Sequence, residues 1–274
     1  MSTVRTKSQQ PRTTVVTFLG AVVRPLGGWM PIAGAVDLLA EVGLDAPGVR
    51  TSVFRLKKTG WLDARVEHGT RGYRLTERAD ATLAAGDEVI WHARRPADLA
   101  DGWCIVHFGV PESLRAKRHQ LRAHLTHLGF GNAGTALWIA PARMREAAER
   151  AIAELELSAH AAIFVGDYRG PQDLTELLYS SWDLTAIDRG YRDFIDTYGP
   201  SADDLVGRRG AKAFAAYLQL VDRWRKLPFR DPGLPREVLD PAWSAPAATE
   251  LFEHLVTGLE KPALEHAGEH WPRV

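Results

Sequence analysis

Cysteine is almost missing from this chain. Of 274 residues only Cys104 carries a thiol, so no intrachain disulfide can form and a reducing cytoplasm is the expected compartment. Long apolar runs are missing as well: no stretch approaches the roughly 20 residues that a membrane helix needs, and no membrane partner is expected. The opening residues, MSTVRTKSQQPRTT, set no apolar segment behind their charges. They do not read as a secretory signal, and residues 1–13 are expected to form a disordered basic arm. The chain contains no G-x-S-x-G, H-E-x-x-H or P-loop pattern, so nothing in it promises a nucleophile elbow, a zinc-protease helix or a phosphate cradle. Neither catalysis nor a cofactor is expected.

Net charge is the last absence, with 34 basic residues against 34 acidic. The balance conceals an asymmetry. Residues 1–78 hold 12 Lys/Arg and 6 Asp/Glu, a net of +6, and the other 196 residues carry the compensating −6. A positive head on a negative body points to a head that meets a polyanion. Hydrophobic content of 45% and charged content of 25% fit a globular chain of two or three small domains.

The head reads as three helices and a hairpin. Val15–Val23 is an apolar helix stopped by Arg24-Pro25, because the residue before proline leaves the α region. Pro31–Gly43 begins with proline and ends with glycine, as helices prefer. Asp45 is placed to cap a third helix with Pro47 in its first turn, and Gly60 to close it. Beyond it, WLDARV and RGYRL alternate around His68-Gly69, which predicts a hairpin.

Stepping 100° per residue, Val53 and Leu56 fall within about 40° of Val49 and define the buried stripe of the third helix. Thr51, Phe54, Arg55 and Lys58 lie opposite, with Arg50 and Lys57 on the flanks. Such a face suits a major groove: arginine reads guanine edges, threonine offers hydroxyl and methyl contacts, and lysine meets phosphate. The hairpin adds Arg65, His68, Arg71 and Arg74 for an adjacent backbone. This order of elements predicts a winged helix-turn-helix bound to double-stranded DNA, over residues 14–80. Phe54 either touches a thymine methyl or packs on the wing.

After a linker at 81–102, residues 103–170 read as β-α-β-β-α-β, the ferredoxin-like unit. GFGNAG (Gly129–Gly134) fits a dinucleotide fingerprint in letters only, since it follows a helix and opens a strand. His119, His124 and His127 share the first helix of this unit, and without nearby cysteine or carboxylate no metal site is expected there. Residues 171–274 read as a helical C-terminal domain broken by LPFRDPGLP (Leu227–Pro235). The fold class is therefore α+β.

Five segments together resemble the PaaX-type repressors of phenylacetate catabolism: TFLGAVVRPLGGWMPIAGAVDLL, VRTSVFRLKKTGWL, VPESLRAKRHQLRAHLTHLGFGNAGTALWIAP, SWDLTAIDRGYRDF and RWRKLPFRDPGLPREVLDPAW. Arg50, Thr51 and Arg55 match the family's recognition-helix pattern. Gly129, Phe130 and Gly131 match its central turn, and Pro228, Asp231, Pro232, Leu234 and Pro235 its C-terminal signature. The resemblance implies a cytoplasmic homodimer that binds palindromic operators and is released by an aryl-CoA thioester such as phenylacetyl-CoA. Arg115, Arg118 and Arg122 of the central helix, with Arg223, Arg225 and Lys226, are candidates for its phosphates. Trp182, Tyr191 and Trp224 are candidates for an aromatic slot around its acyl group. The ferredoxin-like unit also resembles CRISPR-adaptation nucleases, which makes a metal-dependent nuclease the alternative reading. Against it, the first strand, Val106-His107-Phe108-Gly109-Val110, ends without the carboxylate that a metal would need.

Overall fold

The computed structural model describes residues 11–91 and 95–272. Residues 1–10 of the expected basic arm lie outside the described residues, and the next three already belong to a helix. That helix, α1 (Pro11–Phe18), runs into a π-helical turn, Leu19–Val23. Pro25 has no N–H to continue the ladder, and the freed carbonyl of Ala21 accepts from the Tyr217 hydroxyl at 3.4 Å. Then come β1 (Trp29–Pro31), α2 (Ile32–Glu41), α3 (Ala46–Lys58), β2 (Leu62–Glu67), β3 (Thr70–Leu75) and α4 (Glu77–Ile90). The middle of the chain holds β4 (Trp103–Phe108), α5 (Arg115–His127), β5 (Gly131–Gly134), β6 (Leu137–Pro141), α6 (Arg145–Glu154) and β7 (Ala161–Gly166). Five helices follow: α7 (Leu174–Ser181), α8 (Leu184–Tyr198), α9 (Ala202–Val206), α10 (Gly210–Trp224) and α11 (Ala245–Gly268). Among the described residues, no helix is long and apolar enough to cross a membrane.

The chain forms two compact units that do not follow sequence order. Unit 1 gathers residues 1–88, 194–225 and 247–274, and unit 2 gathers 89–193 and 226–246. The segment read as one helical domain, 171–274, is thus shared out between them. The reason is visible in the packing of unit 1. Helix α10 is amphipathic, burying Phe214, Tyr217, Leu218, Val221 and Trp224, and the first 88 residues supply part of what covers that face. Phe18 meets Phe214 edge-on with ring centroids 6.3 Å apart, and Thr17 donates to the buried Asp222 carboxylate at 2.6 Å. Trp224 stacks on Phe252 of α11 at 4.4 Å.

The expected linker is partly helix. Thr76 caps α4 by accepting from the N–H of Ala79 at 3.2 Å. Asp87 then pairs with Arg24, and Leu83 lies where a side chain on Gly20 would have to go, so α4 docks on unit 1 through residue 87. Strand β1 was also absent from the sequence reading. It pairs with β3, which pairs with β2, giving an antiparallel sheet in the order β1-β3-β2.

Unit 2 is built on a four-stranded antiparallel sheet in the order β5-β6-β4-β7. Alternation along β4 sends Cys104, Val106 and Phe108 to one face, against Leu121 and Leu125 of α5 and Ala148 and Ile152 of α6. Trp103 and Ile105 face the other way and meet Leu178 of α7, Leu184 of α8, Leu234 and Val238. The proline-rich stretch is therefore a cover for the second face of the sheet, with Asp231 to Pro235 all buried. Burial raises the Cys104 thiol to about 11, which leaves it inert as a nucleophile.

Candidate nucleic-acid interface

Helix α3 is fixed by its ends and by one stripe. Asp45 stands at the N-cap position, but its side chain makes no capping hydrogen bond, contrary to expectation. The C-terminus is held firmly. Gly60 (φ +74°) donates to the Lys57 carbonyl at 3.0 Å and Trp61 to the Leu56 carbonyl at 2.9 Å, the paired bonds of a Schellman motif. Val49, Ser52, Val53 and Leu56 are buried beneath the helix. Arg50, Thr51, Phe54, Arg55, Lys57 and Lys58 are all solvent-facing. Phe54 is 63% exposed, so it does not pack on the wing. Among the described residues, no ion-pair partner faces Arg50, Arg55, Lys57 or Lys58, and the face keeps its four positive charges.

The hairpin turns through His68 (φ 48°) and Gly69 (φ 73°), two left-handed residues that match the twist of the flanking strands. At its root the approach is very close. A Cβ on Gly72 would lie 2.3 Å from the Met30 carbonyl oxygen and 2.6 Å from the Trp29 ring, so only glycine lets β1 pair there. Towards the tip Ala64, Arg65, Val66, His68 and Arg71 are exposed, and the strands project into solvent. Arg65 has a loose neighbour in Asp63 at 3.9 Å.

Arg74, a candidate phosphate contact, is engaged within the hairpin. Its Nε and Nη2 donate to the two carboxylate oxygens of Glu67 at 2.8 and 2.7 Å, and Nη1 donates to the Gly27 carbonyl at 3.0 Å. The hydrogen bond from Arg74 holds the Glu67 carboxyl below its ordinary range and raises the guanidinium in turn. This arginine braces the hairpin and brings no surplus charge to it.

The effector candidates are divided between the two units. Arg223, Trp224 and Arg225 belong to unit 1, whereas Arg115, Arg118, Arg122, Trp182, Tyr191 and Lys226 belong to unit 2. Trp224 is fully buried in its stack with Phe252, and Tyr191 is 2% exposed with its hydroxyl donating to Asp231 at 3.0 Å. Neither can line an open slot. Trp182 lies over Gly131, where a Cβ would meet its ring at 2.5 Å, and donates through Nε1 to the Gly129 carbonyl at 3.1 Å. The central-turn glycines thus make a cradle for this tryptophan, and the dinucleotide-like letters are a helix-to-strand turn.

The basic residues of α5 are paired, unlike those of α3. Arg118 donates to Glu112 at 2.8 Å, Lys117 lies 2.7 Å from Glu156, Arg122 donates to the Thr135 carbonyl at 2.9 Å, and Arg115 stands 3.7 Å from Glu112. Arg225 donates to Thr17 Oγ1 at 2.8 Å and lies 3.4 Å from Asp222, which makes it a structural cation of unit 1. Arg223 sits 6.0 Å from the Tyr198 ring centre. Asp167, just after β7, lies 3.1 Å from Arg169.

Comparison with known proteins supplies a context for this geometry. Three family models match in order along the chain: "PaaX-like protein" at residues 10–79, "PaaX protein central Cas2-like domain" at 96–178, and "PaaX-like protein C-terminal domain" at 182–269. The Transcriptional repressor PaaX of Escherichia coli (strain K12) is 25% identical over 260 residues, covering 89% of this chain and 78% of that protein. A solved structure, the uncharacterized protein Rv0674 from Mycobacterium tuberculosis, superposes with a TM-score of 0.61 at 18% identity, over 94% of this chain and 99% of that one.

Proposed function

The chain belongs to the PaaX family, and from that premise we propose that it is a sequence-specific transcriptional repressor that grips duplex DNA with unit 1. In this reading α2 and α3 form a helix-turn-helix, β2 and β3 its wing, and the sheet of unit 2 a ferredoxin-like domain. The observation that carries it is the exposed face of α3, where four cations around Thr51 and Phe54 have no ion-pair partner among the described residues. Cations on α5, by contrast, are engaged within the protein by Glu112, Glu156 and the Thr135 carbonyl. Arg50, Thr51, Phe54 and Arg55 read bases, and Lys57, Lys58, Arg65, His68 and Arg71 meet phosphates. Support for repression comes from the relative in Escherichia coli, whose name states that role. Arg55→Ala costs about 1–3 kcal/mol of operator binding and relaxes specificity at one position. Electrophoretic shift or anisotropy on promoter fragments and single-base variants measures both. Unchanged affinity and specificity would remove the assignment.

One winged helix reads few bases, so we take the working form to be a two-fold dimer on palindromic operators. The edge strand β7 favours this, because it exposes Phe164 and Val165 beside an unpaired ladder. Sedimentation on and off DNA tests it; a monomer in both conditions would exclude it. Release by an aryl-CoA thioester rests on the family's segments and not on the aromatic slot, since Tyr191 and Trp224 are core residues and Trp182 is held over the central turn. A panel of acyl-CoA thioesters titrated into the protein–operator complex decides it, and release by the free acid alone would exclude the thioester.

A further inference from the structure

The last residue of α2 and the end of α11 bring together three groups that the DNA reading leaves unused. Nε2 of His266 lies 3.0 and 3.2 Å from the two carboxylate oxygens of Glu41. His270, in the turn after α11, joins them: one ligand atom from each residue lies within 4.8 Å of the others. We propose that Glu41, His266 and His270 form a site for a divalent transition-metal ion of the Zn2+ class.

A tetrahedral ion with bonds of about 2.0–2.1 Å keeps its donor atoms about 3.3 Å apart, so small side-chain rotations close the set. The surrounding groups already orient the rings. Nδ1 of His270 lies 3.2 Å from the carbonyl oxygen of His266. A carbonyl only accepts, so a neutral imidazole bonded there carries its proton on Nδ1 and offers Nε2 to a metal. Nδ1 of His266 faces the Glu269 carboxylate at 3.7 Å, the usual outer partner of a ligating imidazole. The turn is also held independently of any ion. Trp271 donates to the Trp29 carbonyl at 2.8 Å, and Gly34 of α2 gives the His270 backbone room, since a Cβ there would lie 2.6 Å from its carbonyl oxygen.

A plain ion pair between His266 and Glu41 accounts for two of the three groups; His270, four residues on, sets its ring edge to face against that of His266 at 5.1 Å. Two imidazoles and one carboxylate, with no thiolate, suit zinc, cobalt or nickel and leave a further position for water. The partly exposed side chains of His266 and Glu41 give an ion a way in. Bound there, the ion ties the end of α2, four residues ahead of α3, to the C-terminal turn.

The test uses the full chain and Co2+ as a visible probe, with Zn2+ as competitor. One equivalent of Co2+ is expected to give the absorption of four- or five-coordinate cobalt, to be displaced by Zn2+, and to raise the melting temperature. Glu41→Gln and His270→Gln each weaken Co2+ binding at least about tenfold, while His124→Gln leaves it unchanged. If His270→Gln loses its helical circular dichroism, Glu41→Gln, which keeps the side-chain shape, decides alone. Absence of the absorption, or equal affinity in Glu41→Gln, would overturn the site. None of these readings depends on whether the protein binds DNA.

Discussion

Glu67 occupies both outward nitrogens of Arg74, and the pair brings no net charge to a polyanion. Arg71 carries its charge without such a partner among the described residues. Arg71→Ala should therefore flatten the dependence of log affinity on log salt by about one unit, whereas Arg74→Ala should leave that slope as it is. Anisotropy titrations at a series of salt concentrations separate the two. The same pair has an acid limb. Because Arg74 depresses the Glu67 carboxyl in the folded protein, its stabilisation is complete above the ordinary carboxylate value of 4.5 and fades as pH falls through the depressed one. Glu67→Gln is then less stable than the parent at neutral pH and equal to it in strong acid, by urea unfolding. Trp224→Ala should cost about 3–5 kcal/mol of stability, as a core tryptophan does. An aromatic lining a ligand slot would instead lower effector affinity and leave the unfolding midpoint alone.

At the scale of elements, sequence periodicity carries as far as local order does. The α3 stripe, the Gly60 stop and the His68-Gly69 turn were all legible, because each is set by residues within one or two turns of chain. Strand β1 was not, since Trp29-Met30-Pro31 has no alternation to read and becomes a strand only through Gly72. The ionic brace at Arg74 needed the hairpin register, which sets Asp63 rather than Glu67 directly opposite that arginine. Gly72→Ala tests the β1 junction. A methyl 2.3 Å from a backbone oxygen cannot be accommodated by a side-chain movement, so β1 must part from β3, at about 1–3 kcal/mol. Urea midpoints and amide exchange at residues 29–30 and 72–74 report the loss.

At the scale of the whole molecule, the order of segments in space was hidden because it depends on which amphipathic face finds which partner. Nothing local in α10 says that its apolar face belongs with residues 1–88. The Glu41 and His266 pairing, 225 residues apart, was out of reach for the same reason. A fragment of residues 1–80 should consequently fail to fold alone, showing no cooperative thermal transition by circular dichroism. An independent module of that length would melt sharply. Protein synthesis feels this architecture as a delay. Residues 1–88 emerge first, yet Phe214, Trp224 and Ala267 of their shared unit come as many as 179 positions later. At about 5–20 residues per second the ribosome needs roughly 10–35 s to cover that distance. For that interval the nascent head waits with Phe18 and Leu19, buried in the finished fold, short of the segments that cover them.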